Sequence, residues 1–194
     1  MTPLQFSPLW QSLSKITPLN PEDYEVVHAF FKKTKLRKKD CLLKAGDVSN
    51  SLYFVSQGCL RMFFVADNGQ EKTAYFALEQ WWISDFLSFT RGGASSFYID
   101  AVEKSEVYEL TQVNQELLLE TFPALERYFR IHLERAYGAA QYRVKYHFSL
   151  SKEENYIHFK SLFPEFIQRV PQYMLASFLG LTPEYLSEIR KKNL

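Results

Sequence analysis

The sequence predicts an α+β chain: N-terminal helices, an antiparallel β sandwich or barrel, a long connecting helix, and a closing pair of short helices. Three observations carry this. Residues 41 to 111 hold short runs of β-branched and aromatic residues divided by turn signals. From Pro123 onward apolar residues recur every three or four positions. Two further helical stretches flank Gly180.

The elements follow in order. Residues 1 to 34 read as helical, with Pro8 and Pro21 at first-turn positions and Asn20 as a cap. Tyr24, Val27, His28 and Phe31 form an amphipathic stripe. The texture changes at about Lys35. Strand-like runs then cover Leu52–Val55, Leu60–Val65, Lys72–Ala77, Phe97–Val102 and Glu106–Leu110. Asn68-Gly69 between two of them is a hairpin signal, because both residues tolerate positive φ.

The long helix carries Leu125, Phe129, Leu133, Ala136, Ala140, Val144 and His147 near coiled-coil spacing. Such a stripe fits a seam between two copies or packing on the chain's own barrel. The first is expected, which makes residues 123–150 a homodimer element. In the last unit a helix from Pro171 to Leu179 stops at Gly180. A second starts with Thr182 as N-cap and Pro183 at the first helical position. Small Ala176, the glycine, and apolar Leu186 and Ile189 complete the spacing of a helix-turn-helix.

The second helix of such a motif enters the major groove of double-stranded DNA. Candidate DNA contacts are Thr182, Glu184, Tyr185, Ser187, Glu188, Arg190, Lys191 and Lys192, with Gln172 on the first helix. Glu184 can accept from a cytosine amine, and the basic tail suits phosphates. Glu188 is awkward there, since it stands one turn after Glu184 and faces phosphate repulsion. A hairpin that contacts protein, in a sensor or adaptor, is the alternative reading.

Composition narrows the class. The 194 residues are 46% hydrophobic and 23% charged, which excludes a disordered chain and allows a core without staples. The net charge is +1, but it is segregated. Residues 32–44 carry seven basic residues against Asp40, residues 45–123 are acidic, and residues 124–194 are basic. Cys41 and Cys59 are too few for an iron–sulfur cluster or structural zinc, and read as buried thiols of a reducing compartment. Met1–Leu9 lacks the basic start and apolar core of a signal peptide, and no run approaches the ~18 apolar residues of a membrane helix. A cytoplasmic protein without membrane contact is expected. His28, His132, His147 and His158 all lie outside the strand region, which argues against a metal site in the barrel. There is no Gly-x-Ser-x-Gly elbow and no Gly-rich phosphate loop, so no enzyme is expected.

Taken together, three stretches resemble the Crp/Fnr family of bacterial transcription regulators. They are Lys44-Ala45-Gly46-Asp47 with Leu52 to Arg61, then Trp81-Trp82-Ile83-Ser84-Asp85 through Ser95-Ser96, and Pro171 to Ser187. The resemblance implies a jelly-roll barrel of the cyclic-nucleotide-binding type within residues 1–122. It also implies a dimerisation helix at 123–150 and a DNA-binding helix-turn-helix at 151–194. Family members that bind cyclic nucleotides place Gly-Glu and Arg-Ser or Arg-Thr in the phosphate cassette. Here those pairs are Ser84-Asp85 and Ser95-Ser96. A hydroxyl does not replace the charge-assisted pair a guanidinium makes with phosphate. The resemblance therefore implies a barrel that takes a small-molecule effector other than cyclic AMP, or none, and no metal, haem or iron–sulfur cluster is expected. Ser84, Asp85, Ser95, Ser96, Gln141 and Tyr142 are the candidate ligand contacts. Many members add a β-hairpin wing after the second helix. The sequence ends at Leu194, so fewer phosphate contacts are expected.

Overall fold

The computed structural model describes residues 6 to 192. Residues 1–5 of the expected N-terminal helical stretch, and Leu194, lie outside the described residues. The chain divides into two compact units. One runs to Met62 and resumes over Phe76–Glu134; the other joins Phe63–Tyr75 to the chain from Arg135 onward. The expected cuts at 122/123 and 150/151 fall between elements, whereas these units share the long helix and take a hairpin tip with the C-terminal helices.

The first unit opens with α1 (Pro8–Ile16). Ser7 Oγ accepts from the Trp10 amide at 3.1 Å, and Pro8 sits at the first turn as expected. Pro21 begins only a 3₁₀ turn, Pro21–Asp23, which leads into α2 (Tyr24–Ala29). The helical reading to residue 34 overshoots, since β1 already occupies Lys32–Leu36. The other strands are β2 (Cys41–Leu43), β3 (Ser51–Gln57), β4 (Leu60–Val65), β5 (Glu71–Ala77), β6 (Trp82–Ile83), β7 (Tyr98–Ala101) and β8 (Ser105–Thr111). They form two four-stranded sheets, β1-β8-β3-β6 and β2-β7-β4-β5, the strand order of a jelly roll. Helix α3 (Phe86–Arg91) lies between β6 and β7, and α4 (Gln112–Thr121) follows β8.

β1 is an outer strand, which explains both its lysines and its absence from the sequence reading. Lysines blunt a free sheet edge, but they erase the apolar alternation by which strands are recognised. Lys33 pairs with Glu106 at 2.8 Å and Lys32 with Glu109 at 3.8 Å, so part of the basic run is answered by β8. β2 is also an outer strand and leaves Cys41 exposed, which corrects the expectation of two buried thiols; Cys59 is buried. The β4–β5 hairpin forms as expected, but only Gly69 takes positive φ, at 78°. Its amide donates to the Ala66 carbonyl, and the Gln70 amide donates to Asn68 Oδ1.

The core of this unit gathers Leu9 and Leu13 of α1, Phe54 of β3, Trp82 of β6, and Leu110 of β8. Leu125, Tyr128 and Phe129 complete it from the first turns of α5 (Leu125–Ser149). The buried Tyr128 hydroxyl accepts from Trp82 Nε1 at 3.0 Å and pairs with Ser12 Oγ at 2.9 Å. Burial pushes that phenol up to about 12.

His28 supplies a pH test. Its Nε2 is 2.7 Å from Ser7 Oγ. Burial holds the imidazole below its ordinary 6.5, with Glu25 opposing and Lys33 assisting. The folded state therefore favours the neutral ring, and the unfolded chain takes up the proton first as pH falls. The stability this residue contributes is present above 6.5 and falls as pH drops through that value toward the lower folded one. Between about pH 7.5 and pH 5 the melting temperature of His28→Gln should decline less than that of the parent. Equal declines would remove His28 from the acid response.

The second unit holds the remainder of α5, then α6 (Lys152–Leu162), α7 (Pro164–Arg169), α8 (Gln172–Leu179) and α9 (Pro183–Lys192), with the hairpin tip Phe63–Tyr75. Ser151 and Glu154 close a capping box at the start of α6, at 3.2 and 2.8 Å. Ser-x-x-Glu is the spacing such a box requires.

Candidate ligand cassette and helix-pair surface

The cassette is built on the turn from β6 into α3. Asp85 is the N-cap of α3: its Oδ1 accepts from the amides of Leu87 and Ser88 at 3.1 and 3.2 Å. Its Oδ2 accepts from Ser95 Oγ at 2.7 Å. Ser95 Oγ also accepts from the Phe97 amide at 3.0 Å. The Ser95 backbone bonds Gly46 and Asp47, each at 2.8 Å. Ser84 Oγ donates to the Ser51 carbonyl at 2.9 Å and lies 3.0 Å from Ser49 Oγ. Ser88 Oγ accepts from the Ser49 amide at 2.9 Å and donates to the Gly93 carbonyl.

The structure thus brings Ser84, Asp85 and Ser95 together, all buried, and leaves Ser96 exposed. Both carboxylate oxygens of Asp85 are hydrogen-bonded within the chain. The carboxylate already occupies the first free amides of α3, those of Leu87 and Ser88. Arg91, at the far end of α3, is exposed.

Arg61 is buried in the same unit. It pairs bidentately with Asp100 across the neighbouring strands β4 and β7: Nε to Oδ1 at 3.0 Å and the guanidinium terminus to Oδ2 at 2.7 Å. Both side chains are buried, so the guanidinium's charge is already answered.

Gln141 and Tyr142 sit on the half of α5 that belongs to the second unit, and both are exposed. Along α5 the expected seam divides. Leu125 and Phe129 are buried in the core, Ala136 is half-buried, and Leu133, Ala140, Val144 and His147 are exposed. With Tyr137 and Phe148, which the seam did not include, Leu133, Ala140 and Val144 form an exposed stripe at helical spacing.

α8 and α9 are joined tightly. Gly180 ends α8 at φ 68°, a conformation a side chain resists, and the Leu181 amide donates to the Ala176 carbonyl at 2.8 Å. Thr182 Oγ1 accepts from the Tyr185 amide at 3.2 Å, the expected cap. Leu175, Ala176, Leu186 and Ile189 are buried, so the two helices pack on their apolar faces. Gln172 Nε2 reaches the Pro183 carbonyl at 3.3 Å and ties the two helix starts together. Thr182, Glu184, Tyr185, Glu188, Arg190, Lys191 and Lys192 are exposed, and Ser187 is half-buried. The candidate DNA contacts on α9 therefore form one accessible surface of mixed charge. Two further residues of this unit, Arg143 and Ser177, bond the β5 backbone. The sequence carries no signal for them, because their partners are main-chain atoms about 70 and 100 positions away.

Residues 33–121 match the family of cyclic nucleotide-binding domains, and the barrel has that fold. Several of the solved structures it resembles are regulators of the Crp/Fnr type. A catabolite activator protein from Thermus thermophilus is 21% identical over 96% of this chain and 86% of its own, with a TM-score of 0.57. FixK2 from Bradyrhizobium japonicum is 14% identical over 84% and 83%, with a TM-score of 0.70. CLP, a c-di-GMP-responsive global regulator from Xanthomonas campestris, is 14% identical over 89% and 91%, with a TM-score of 0.73. At these identities the likeness is one of fold. No curated protein matches the sequence significantly. Among the described residues no helix is long and apolar enough to cross a membrane, and no cluster of three or more His, Cys, Asp or Glu is placed to hold a metal.

Proposed function

We propose that this chain is an effector-responsive, DNA-binding transcription regulator of the Crp/Fnr type. It works as a homodimer through α5 and is not switched by cyclic AMP. The observation that carries the reading is the α8–α9 pair: a left-handed glycine turn, a capped second helix seated by Leu186 and Ile189, and an open outer face ending in Arg190, Lys191 and Lys192. A second helix so seated can lie in a major groove while the basic end meets phosphates. The exposed stripe on α5 supports a dimer, because a face of leucine, valine and aromatic residues gains from being covered. Two recognition helices about 34 Å apart would then read two half-sites.

The test is selection from random duplexes at near-physiological salt. A two-fold symmetric motif with half-sites about ten base pairs apart is expected. With the selected duplex, Arg190→Ala and Lys191→Ala should each reduce the salt slope by about one. No enrichment, together with no salt-dependent retention on heparin, would favour the adaptor reading. The exposed carboxylates Glu184 and Glu188 on α9 are the observation in its favour.

The effector is read as neutral or apolar. Asp85 places a carboxylate at the start of α3, and Arg61 is already paired with Asp100. An anionic phosphate there would be buried beside a negative charge. Cyclic AMP or cyclic GMP at about 1 mM should leave the melting temperature unchanged. A ligand at hundredfold excess over its Kd would add about 2.7 kcal/mol of stability. A clear upward shift would overturn this reading of the cassette.

A further inference from the structure

β5 is the outer strand of its sheet, so one row of its backbone groups has no strand to pair with. A single hydroxyl takes that role. Ser177 Oγ on α8 accepts from the Thr73 amide at 2.9 Å and donates to the Glu71 carbonyl at 3.1 Å. Residues two apart in a strand present their backbone groups to the same edge, so this one side chain spans the repeat. Arg143 on α5 adds a second hold: its guanidinium donates to the Ala74 carbonyl and lies over the Phe178 ring of α8, 5.3 Å from its centre. Tyr75, beside that guanidinium, is pushed up to about 12 by burial, against the pull of the Arg143 charge.

We propose that Ser177 and Arg143 form a clip that fastens α8 to the edge of β5 and thereby positions α9 for DNA. Both are positioning residues, and the use for DNA rests on the regulator reading above. Whatever holds α8 also holds α9, because Leu186 and Ile189 are buried and the Leu181 amide bonds Ala176 across the turn. The clip grips α8 through Ser177 and Phe178, while the candidate contact residues of α9 stay open. It therefore sets the orientation of α9 without masking it.

Amide hydrogen exchange on the full chain tests the clip without DNA. In Ser177→Ala, the Thr73 amide and the amides of α8 and α9 should exchange faster together, by about fivefold or more, while β3 and β8 keep their rates. Ser177→Thr, which keeps the hydroxyl, should restore protection. Faster exchange at Thr73 alone, with α8 and α9 unchanged, would overturn the proposal. If Ser177→Ala also loosens β3 and β8, Arg143→Gln gives the same reading from the other hold, with the same two outcomes. On a selected duplex Ser177→Ala should bind about fivefold weaker or more at an unchanged salt slope, since no phosphate contact is lost. Equal affinity would overturn the positioning role. If the parent selects no duplex, the regulator reading fails, and exchange alone still decides whether the clip exists.

Discussion

Arg61→Ala should lower the stability of the folded chain by about 3–5 kcal/mol, the usual result of removing one partner of a buried ion pair. The side chains of Arg61 and Asp100 are only 4% and 12% exposed. The bidentate geometry satisfies both carboxylate oxygens at 3.0 and 2.7 Å. Truncation leaves the Asp100 carboxylate buried without its charge partner. Urea denaturation should show a lower midpoint with an unchanged slope. Replacing both partners together, as Arg61→Met with Asp100→Leu, should be far milder, because no charge is stranded. A loss below about 1 kcal/mol for Arg61→Ala would mean that water reaches the pair.

Val144→Glu should separate the proposed dimer and weaken binding to a two-half-site duplex by about 10²- to 10⁴-fold. That range is the gain that linking two binding modules supplies. Val144 is 56% exposed and shares its face with Leu133, Tyr137 and Phe148, so the substitution disturbs no core packing within the chain. A dimer would bring two of these carboxylates into one apolar seam. Sedimentation should report a dimer for the parent and a monomer for the variant, with equal melting behaviour at low concentration. An unchanged dimer with unchanged duplex affinity would place the interface elsewhere.

How far the fold was legible in the sequence varies by element, for physical reasons. The strand run Leu60–Val65 and helix α9 from Pro183 carry their own signals: aromatic and β-branched residues between turns in one, a threonine cap and first-turn proline in the other. Such signals lie within a few residues and can be read without knowing the tertiary partners. β1 was missed because its Lys-Lys-Thr-Lys run serves a sheet edge rather than a core. β6 has only two residues, which cannot show a period, so only its aromatic, strand-sized run Trp81-Trp82-Ile83 marks it in the sequence.

The candidate site divides along the same line. The helix-pair surface was readable, since cap, turn and seating residues all lie within one short stretch. Asp85 caps α3 through the nearby Leu87 and Ser88 amides, a local contact, but its second oxygen meets Ser95, ten positions on, and that pairing no short pattern encodes.

By itself, the sequence determined the succession from N-terminal helices through a strand region to a long helix, the hairpin at Asn68-Gly69, the pair of helices around Gly180, and the lack of an arginine in the Ser95-Ser96 pair. These are matters of residue type and short spacing. Only the tertiary structure decided that Arg61 is answered by Asp100, that half the α5 stripe is buried while half is open, and that Ser177 completes the edge of β5. Each of those joins groups far apart in the chain, and the partner is set by how strands align and helices pack, which no local pattern encodes.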